Sequence, residues 1–176
     1  MEYLDTTDQH GNHTGEKKLR SEVHRHGDYH RTVHVWIRNA QGDLLLQLRS
    51  PGKETHPNQW DISAAGHVSA GNTAEETAVR EVYEELGIRI QPADLEHLTS
   101  LNQEYQSPDG LIVDREVVEM FLSRKTFEMA ELSPSRDEVS DVAFLSLEQL
   151  GERVAGGDPS LVPHSEEYAV LLKRLS

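Results

Sequence analysis

At 176 residues, with 36% hydrophobic side chains and no cysteine, the chain carries enough apolar material for one core and excludes disulfides, thiolate nucleophiles and thiolate metal sites. Seventeen Lys and Arg against 31 Asp and Glu leave a formal charge of −14, which argues against a nucleic-acid or anionic-membrane partner and means that a polyanionic ligand needs local help. No stretch approaches the roughly 18 apolar residues of a membrane span and the start does not read as a secretory leader, so the expectation is a soluble, cytoplasmic, single domain over residues 1–176.

Residues 1–30 are polar and turn-rich, with Gly11 and Asn12 between Glu2–Leu4 and a short basic stretch ending at Arg20, and predict a mobile N-terminal arm or hairpin. From Thr32 the pattern changes: Val33, Val35 and Ile37 alternate with His34, Trp36 and Arg38, a turn falls at Asn39–Asp43, and Leu44–Leu48 follows, which predicts a hairpin. Pro51, Gly52 and Pro57 mark Ser50–Gln59 as a loop leading into one buried strand, Trp60–Val68. Thr73 with Glu76 forms a capping-box signature for a helix over Ala74–Leu86, and Gly87 is placed to stop it. Leu98–Tyr105 and Leu111–Leu122 read as strands joined by a turn at Ser107–Gly110, with Val142–Leu145 a short third. Helices over Leu147–Val154 and Glu166–Leu175 close the chain, the second presenting Tyr168, Val170, Leu171, Leu172 and Leu175 as a docking face.

The helix over 74–86 carries the first chemical signal. At 100° per residue, Glu81, Glu84 and Glu85 share one face while Val79, Val82 and Leu86 gather on another. Like charges at these spacings repel by a few tenths of a kcal/mol per pair, so the face needs either water or a cation. A solvated face is the plain reading; hard oxygen ligands for Mg²⁺ or Mn²⁺, with phosphate oxygens completing the shell, are the functional one.

The surrounding residues favour the second. Gly66, Arg80, Glu81, Val82, Glu84, Glu85, Gly87 and Ile88 match the pattern G-x5-E-x7-R-E-U-x-E-E-x-G-U, so residues 66–88 resemble the Nudix box, with one departure, Asn72 in place of the first family Glu. That resemblance implies an α/β fold, an α/β/α sandwich around a mixed sheet, whose loop-helix-loop holds a divalent metal, Mg or Mn, against a diphosphate. It implies that Glu81, Glu84 and Glu85 supply metal ligands and the carboxylate environment that activates water. Gly66 would give close backbone approach to metal or phosphate, and Arg80 would be structural, partnering the family Glu; Asn72 can still hydrogen-bond it but carries no charge. A bound cation would reconcile a −14 chain with a polyanionic substrate, and Arg49 and Lys53 are candidates for direct phosphate contacts or for an ordinary polar loop.

Residues from His24 to Leu145, including His30–Ile37, Leu44–Lys53, Trp60 and Ala65–His67, look like the isopentenyl-diphosphate isomerase branch of that family. The likeness implies a second metal held at His24, His30, His67, Asp114 and Glu116. Six of the ten histidines precede Val35, so surface polarity is the other reading of them. Ala65 stands where the isomerase has its catalytic cysteine, and a methyl group neither donates nor accepts a proton. Intact Glu81, Glu84 and Glu85 point to a hydrolase on the isomerase's frame, acting on a small diphosphate such as a prenyl diphosphate, isopentenyl diphosphate among them, or a nucleoside diphosphate derivative. A non-catalytic diphosphate sensor, motivated by Asn72, is a third reading.

Glu116 and Glu119 face opposite sides of one strand and Asp114 shares the side of Glu116, which makes Glu116 a candidate second-site ligand or general base. Asp137 and Glu138 precede the Val142 strand in a region where the resemblance implies an occasional late catalytic acid, and a solvated acidic turn is the preferred reading. Specificity is expected from Ser50–Gln59 and His97–Pro108, and Trp60, Tyr105 and Phe121 are candidates either to cover a ligand or to be core.

Overall fold

A computed structural model describes residues 1–176, in the order β1 (Tyr3–Thr7), β2 (His13–Leu19), α1 (Arg20–His26), β3 (Tyr29–Arg38), β4 (Leu44–Arg49), β5 (Trp60–Asp61), β6 (Ala64–His67), α2 (Ala74–Leu86), β7 (Leu95–Gln106), β8 (Val113–Thr126), β9 (Val139–Leu145), α3 (Leu147–Ala155) and α4 (Ser165–Leu175). The strands form one mixed sheet organised on β3, which runs parallel to β8 and antiparallel to β6, and antiparallel to β1 at its start. The alternation along β3 decides the layers. Val33, Val35 and Ile37 pack with Ala78, Val82 and Leu86 of α2, while Trp36 packs with Met120, Leu150, Tyr168 and Leu171 beneath α3 and α4 on the opposite face. Helices therefore cover both faces of a mixed sheet, which is the α/β/α arrangement expected.

Helix α2 begins and ends where the sequence places it. Glu76 N–H donates to Thr73 Oγ1 at 3.1 Å and Thr73 N–H donates to the Glu76 carboxylate at 3.0 Å, satisfying two N-terminal donors reciprocally. At the other end Gly87 takes φ 73°, and a Cβ there would meet the Ser133 carbonyl oxygen at 2.7 Å, so both conformation and space require glycine.

Four expectations need correction. The N-terminal segment is a hairpin but not an arm: Leu4 is fully buried, Thr6 and Thr7 pair with His30 and Tyr29 of β3, and the short helix α1 follows it. The strands β3 and β4 share a single paired position, Arg38 with Leu44, because β3 is already flanked by β6 and β8 and β4 by β5 and β9. The expected strand over 60–68 is two, β5 on β4 and β6 on β3. Between them the Ser63 hydroxyl accepts from Ile37 N–H at 2.9 Å and donates to the Leu45 carbonyl at 2.6 Å, bridging the two strands where they splay. Finally, β7 and β8 are longer than expected: their ladder runs from Leu95 opposite Ser123 to Gln106 opposite Val113, and β8 continues to Thr126, which pairs with Arg38 of β3.

Candidate active site and metal centre

The C-terminal end of β6 and the inner face of α2 meet at one wall of a cleft of about 970 Å³. The Glu81 side chain lies over Gly66 so closely that a Cβ at residue 66 would overlap its carboxyl group, which explains the glycine. Arg80 pairs with Glu81 at 2.8 Å and with Glu84 at 2.9 Å. Glu85 is buried: Gln47 Nε2 donates to it at 2.8 Å, Ala65 N–H at 3.1 Å, and Lys53 Nζ lies 3.5 Å away. Burial, with Glu85 and Glu84 as like-charged neighbours and Arg80 opposing them, pushes the Glu81 carboxyl up to about 8. Burial likewise raises Glu85 against the pull of Lys53 and Gln47. Three carboxylates crowded in this way, two of them resisting ionisation, form a hard-oxygen donor set of the kind that Mg²⁺ or Mn²⁺ satisfies.

A second cluster adjoins the first. Nε2 of His24, His30 and His67 and Oδ1 of Asp114 all lie within 4.8 Å of one another. None of these four buried atoms has a hydrogen-bond partner. His30 Nε2 is 3.4 Å and His24 Nε2 3.6 Å from Asp114 Oδ1, and the three rings sit 5.2–5.3 Å apart. His30 Nδ1 faces the Asp28 carbonyl at 3.2 Å, which assigns the proton to Nδ1 and leaves Nε2 as a lone-pair donor. Burial holds all three histidines below their ordinary value, the Asp114 carboxylate opposing it at His24 and His30, while Arg20 and the neighbouring histidines add to the effect at His67. Unpartnered buried donors converging on one point fit a divalent cation. Glu116 stands just outside, 3.9 Å from His67 Nε2, and burial together with Asp114 raises its carboxyl to about 8. The opposite-face reading of β8 holds, since Glu119 points away to Arg31, His97 and Ser100.

The remaining candidates divide. Arg49 and Lys53 both line the cleft, Arg49 donating to Asp61 at 2.9 Å and Lys53 pairing with Glu85 and Glu138. Asn72 is exposed and its side chain makes no bond to Arg80, which is a correction: with a neutral amide at 72, the guanidinium pairs instead with its own helix. Glu138 is also corrected, from solvated turn to cleft wall, because it faces the Lys53 ammonium. Phe121 is core, Trp60 packs against the α3–α4 face, and Tyr105 lies on the cleft with its ring 4.8 Å from that of His56. Sequence reasoning missed Arg20, which lines the cleft with an unpartnered Nε, and the group of buried His34, Asp61 and Glu167 with half-buried His164. The signal for His34 was its phase: it shares a face of β3 with Trp36 and His30.

Comparison with known proteins decides the family. A model of the NUDIX domain matches residues 28–165. The chain belongs to the Nudix family. Nudix hydrolase 3 of Arabidopsis thaliana is 39% identical over 175 residues, covering 97% of this chain, and the chain spans 23% of that relative's length. The crystal structure of DR0079 from Deinococcus radiodurans is 29% identical, covers 99% of both chains and superposes with a TM-score of 0.70. The isopentenyl-diphosphate Delta-isomerase of Streptomyces avermitilis is 30% identical over 152 residues, covering 86% of this chain and 75% of its own. The Nudix box is thus the α2 wall of the cleft, and no helix is long and apolar enough to cross a membrane.

Proposed function

We propose that residues 1–176 act as one Nudix domain that hydrolyses the phosphoanhydride of a small diphosphate compound with Mg²⁺ or Mn²⁺, in the subgroup that combines an intact Nudix box with the isomerase's histidine cluster. The observation that carries this reading is the Glu81 carboxylate packed over Gly66, beside Glu84 and Glu85, in a cleft that also holds Lys53 and Arg49. Glu81, Glu84 and Glu85 would hold one cation, and His24, His30, His67 and Asp114, with Glu116, a second. When bound, the cations neutralise charge on the diphosphate and lower the pKa of bound water. The chain's own groups do the rest. Lys53, Arg49 and Arg20 orient phosphate oxygens, and Lys53 exchanges Glu85 and Glu138 for them. Glu116, raised to about 8 by burial and Asp114 in the metal-free protein and so mostly the acid at neutral pH, becomes a base for the attacking water only in its ionised form, which a neighbouring cation would favour.

Isomerisation is the second reading, carried by the matched histidines and the isomerase relative, but Ala65 supplies no proton donor or acceptor on that face. The third, a sensor, rests on Asn72 alone. Glu85→Gln separates them: the isosteric amide should lower kcat by at least about 10²-fold while the melting temperature stays level or rises, because a buried carboxylate that resists ionisation has been replaced by a neutral group. Retained turnover would reject the assignment. Phosphorus NMR of the products separates phosphate release from isomerisation.

A further inference from the structure

Beyond Arg80, on the side away from the cleft, lies a second pocket of about 500 Å³. Val79, Arg80 and Tyr83 supply it from one face of α2, Arg89 and Gln91 from the segment that follows, and Lys125 from the end of β8. None of its lining residues is acidic, in a chain with 31 carboxylate side chains and a charge of −14. Lys125 is held by Asp94 at 2.8 Å, and Arg80 by Glu81 and Glu84, so two of the three cations are partly neutralised. Arg89 is exposed, faces no carboxylate, and lays its guanidinium 4.2 Å from the centroid of the exposed Tyr83 ring. Stacking on an aromatic face fixes the plane of a guanidinium and leaves its N–H fork open at the edge, the geometry that takes two oxygens of one phosphate. Three cations brought from three elements around one concavity suit a compact, multiply charged anion better than an extended acidic chain. Arg80 borders both the pocket and the cleft. A cation taken up by Glu81 and Glu84 removes its partners on the cleft side and leaves its charge to the pocket behind.

We propose that Arg80, Arg89 and Lys125, with Tyr83, form a site for a phosphate-bearing anion separate from the cleft, and that Arg80 couples it to the cleft so that anion and cation each bind more tightly when the other is present. Only the coupling rests on the hydrolase reading, for the place of the cation at Glu81 and Glu84. Proton–nitrogen NMR of the full chain reads the pocket residue by residue. In EDTA the protein is titrated with inorganic phosphate and with adenosine 5′-monophosphate, which distinguish a bare anion from one that adds a ring to the Tyr83–Arg89 stack. For at least one of the two, the Arg89 and Lys125 amides should shift saturably with a common Kd of about 1 mM or below. Arg89→Ala should weaken that Kd by at least about tenfold, while any shift at Ala65 in the cleft stays as in wild type. In Mg²⁺ the Kd read at Lys125 should fall by at least about fivefold in wild type and stay level in Arg80→Gln. If Arg80→Gln loses its dispersed spectrum, the coupling is read in reverse: phosphate should tighten Mg²⁺ more in wild type than in Arg89→Ala. Shifts absent from Arg89 and Lys125, confined to the cleft, or unchanged in Arg89→Ala overturn the site, as does binding there of a polyglutamate peptide but of neither phosphate compound. A Kd indifferent to Mg²⁺ overturns the coupling. If no diphosphate is turned over, the hydrolase reading fails and the titration in EDTA still decides the site.

Discussion

The Glu81 carboxyl group fills the space that a side chain at Gly66 would need, so the two positions are coupled. Gly66→Ala should leave the fold intact, since the added Cβ meets only the end of the Glu81 side chain and no backbone, yet displace the Glu81 carboxylate, with kcat falling by at least about 10²-fold and circular dichroism unchanged. Full activity in that variant would mean that the Glu81 position seen here is not the one used. The motif residues were legible because the box spaces them rigidly along α2 and β6. Their pairings were not. Arg80 shows why: whether a guanidinium reaches across a loop to residue 72 or along its helix to 81 and 84 depends on distances that no local pattern encodes, and the loss of charge at 72 tips it to the helix.

Elements closed by local signals were read correctly, and those closed by distant pairing were not. The α2 boundaries follow from Thr73, Glu76 and Gly87, all within reach of the helix itself. The hairpin expected of β3 and β4 keeps only its turn-proximal pair, because β5 and β6, about twenty residues on, insert between the two strands and take their facing edges. Helix α4 is a mixed case. Its apolar face was legible, but Glu167, an acidic residue in its first turn, is buried against His34 and Trp36. Glu167→Gln should therefore destabilise the protein by about 3 kcal/mol, since it leaves a buried imidazole without its anion. The effect has a defined pH window. The Glu167 value lies below its ordinary 4.5 and that of His34 above its ordinary 6.5, burial being outweighed in each by the partner's charge. Glu167 contributes above 4.5 and loses its contribution as pH falls through its lowered value; His34 contributes below 6.5 and loses its own as pH rises through its raised value. The difference in denaturation midpoint between wild type and variant should be widest near about pH 5.5, and a difference flat from pH 4 to 9 would show that the pair is not ionic.

For the whole molecule, a net charge of −14 is tolerable because the carboxylates at the site are partly held as acids. Glu81 and Glu116 sit at about 8. A raised value stabilises the metal-free fold below the ordinary 4.5 and loses that contribution as pH rises through about 8, so alkaline solution is where a cation is needed most. Cation binding should accordingly release protons at pH 7, and a cation at about 100 times its Kd should add about 2.7 kcal/mol of stability, with affinity rising toward pH 8. Denaturant titration with Mn²⁺ or chelator at pH 6 and pH 8 measures this, and a larger effect at the lower pH would contradict it. The histidines act in the opposite sense on the metal-free fold: being held below their ordinary 6.5, His24 and His30 contribute stability above that pH and lose it as pH falls through their lowered values.

One strand sets the scale of all this. His30, Thr32, His34 and Trp36 occupy successive positions on one face of β3, so the histidine cluster, the His34–Glu167 pair and the Trp36 anchor for α4 are graduations on a single rule. At a rise of about 3.3 Å per residue, His30 and His34 are about 13 Å apart, and hydrogen bonds on both flanks prevent that interval from stretching. A compound that reaches along the cleft from His24 and His67 of the cluster to His34 must match such an interval in length as well as in chemistry, and one too short to do so can occupy only one end at a time.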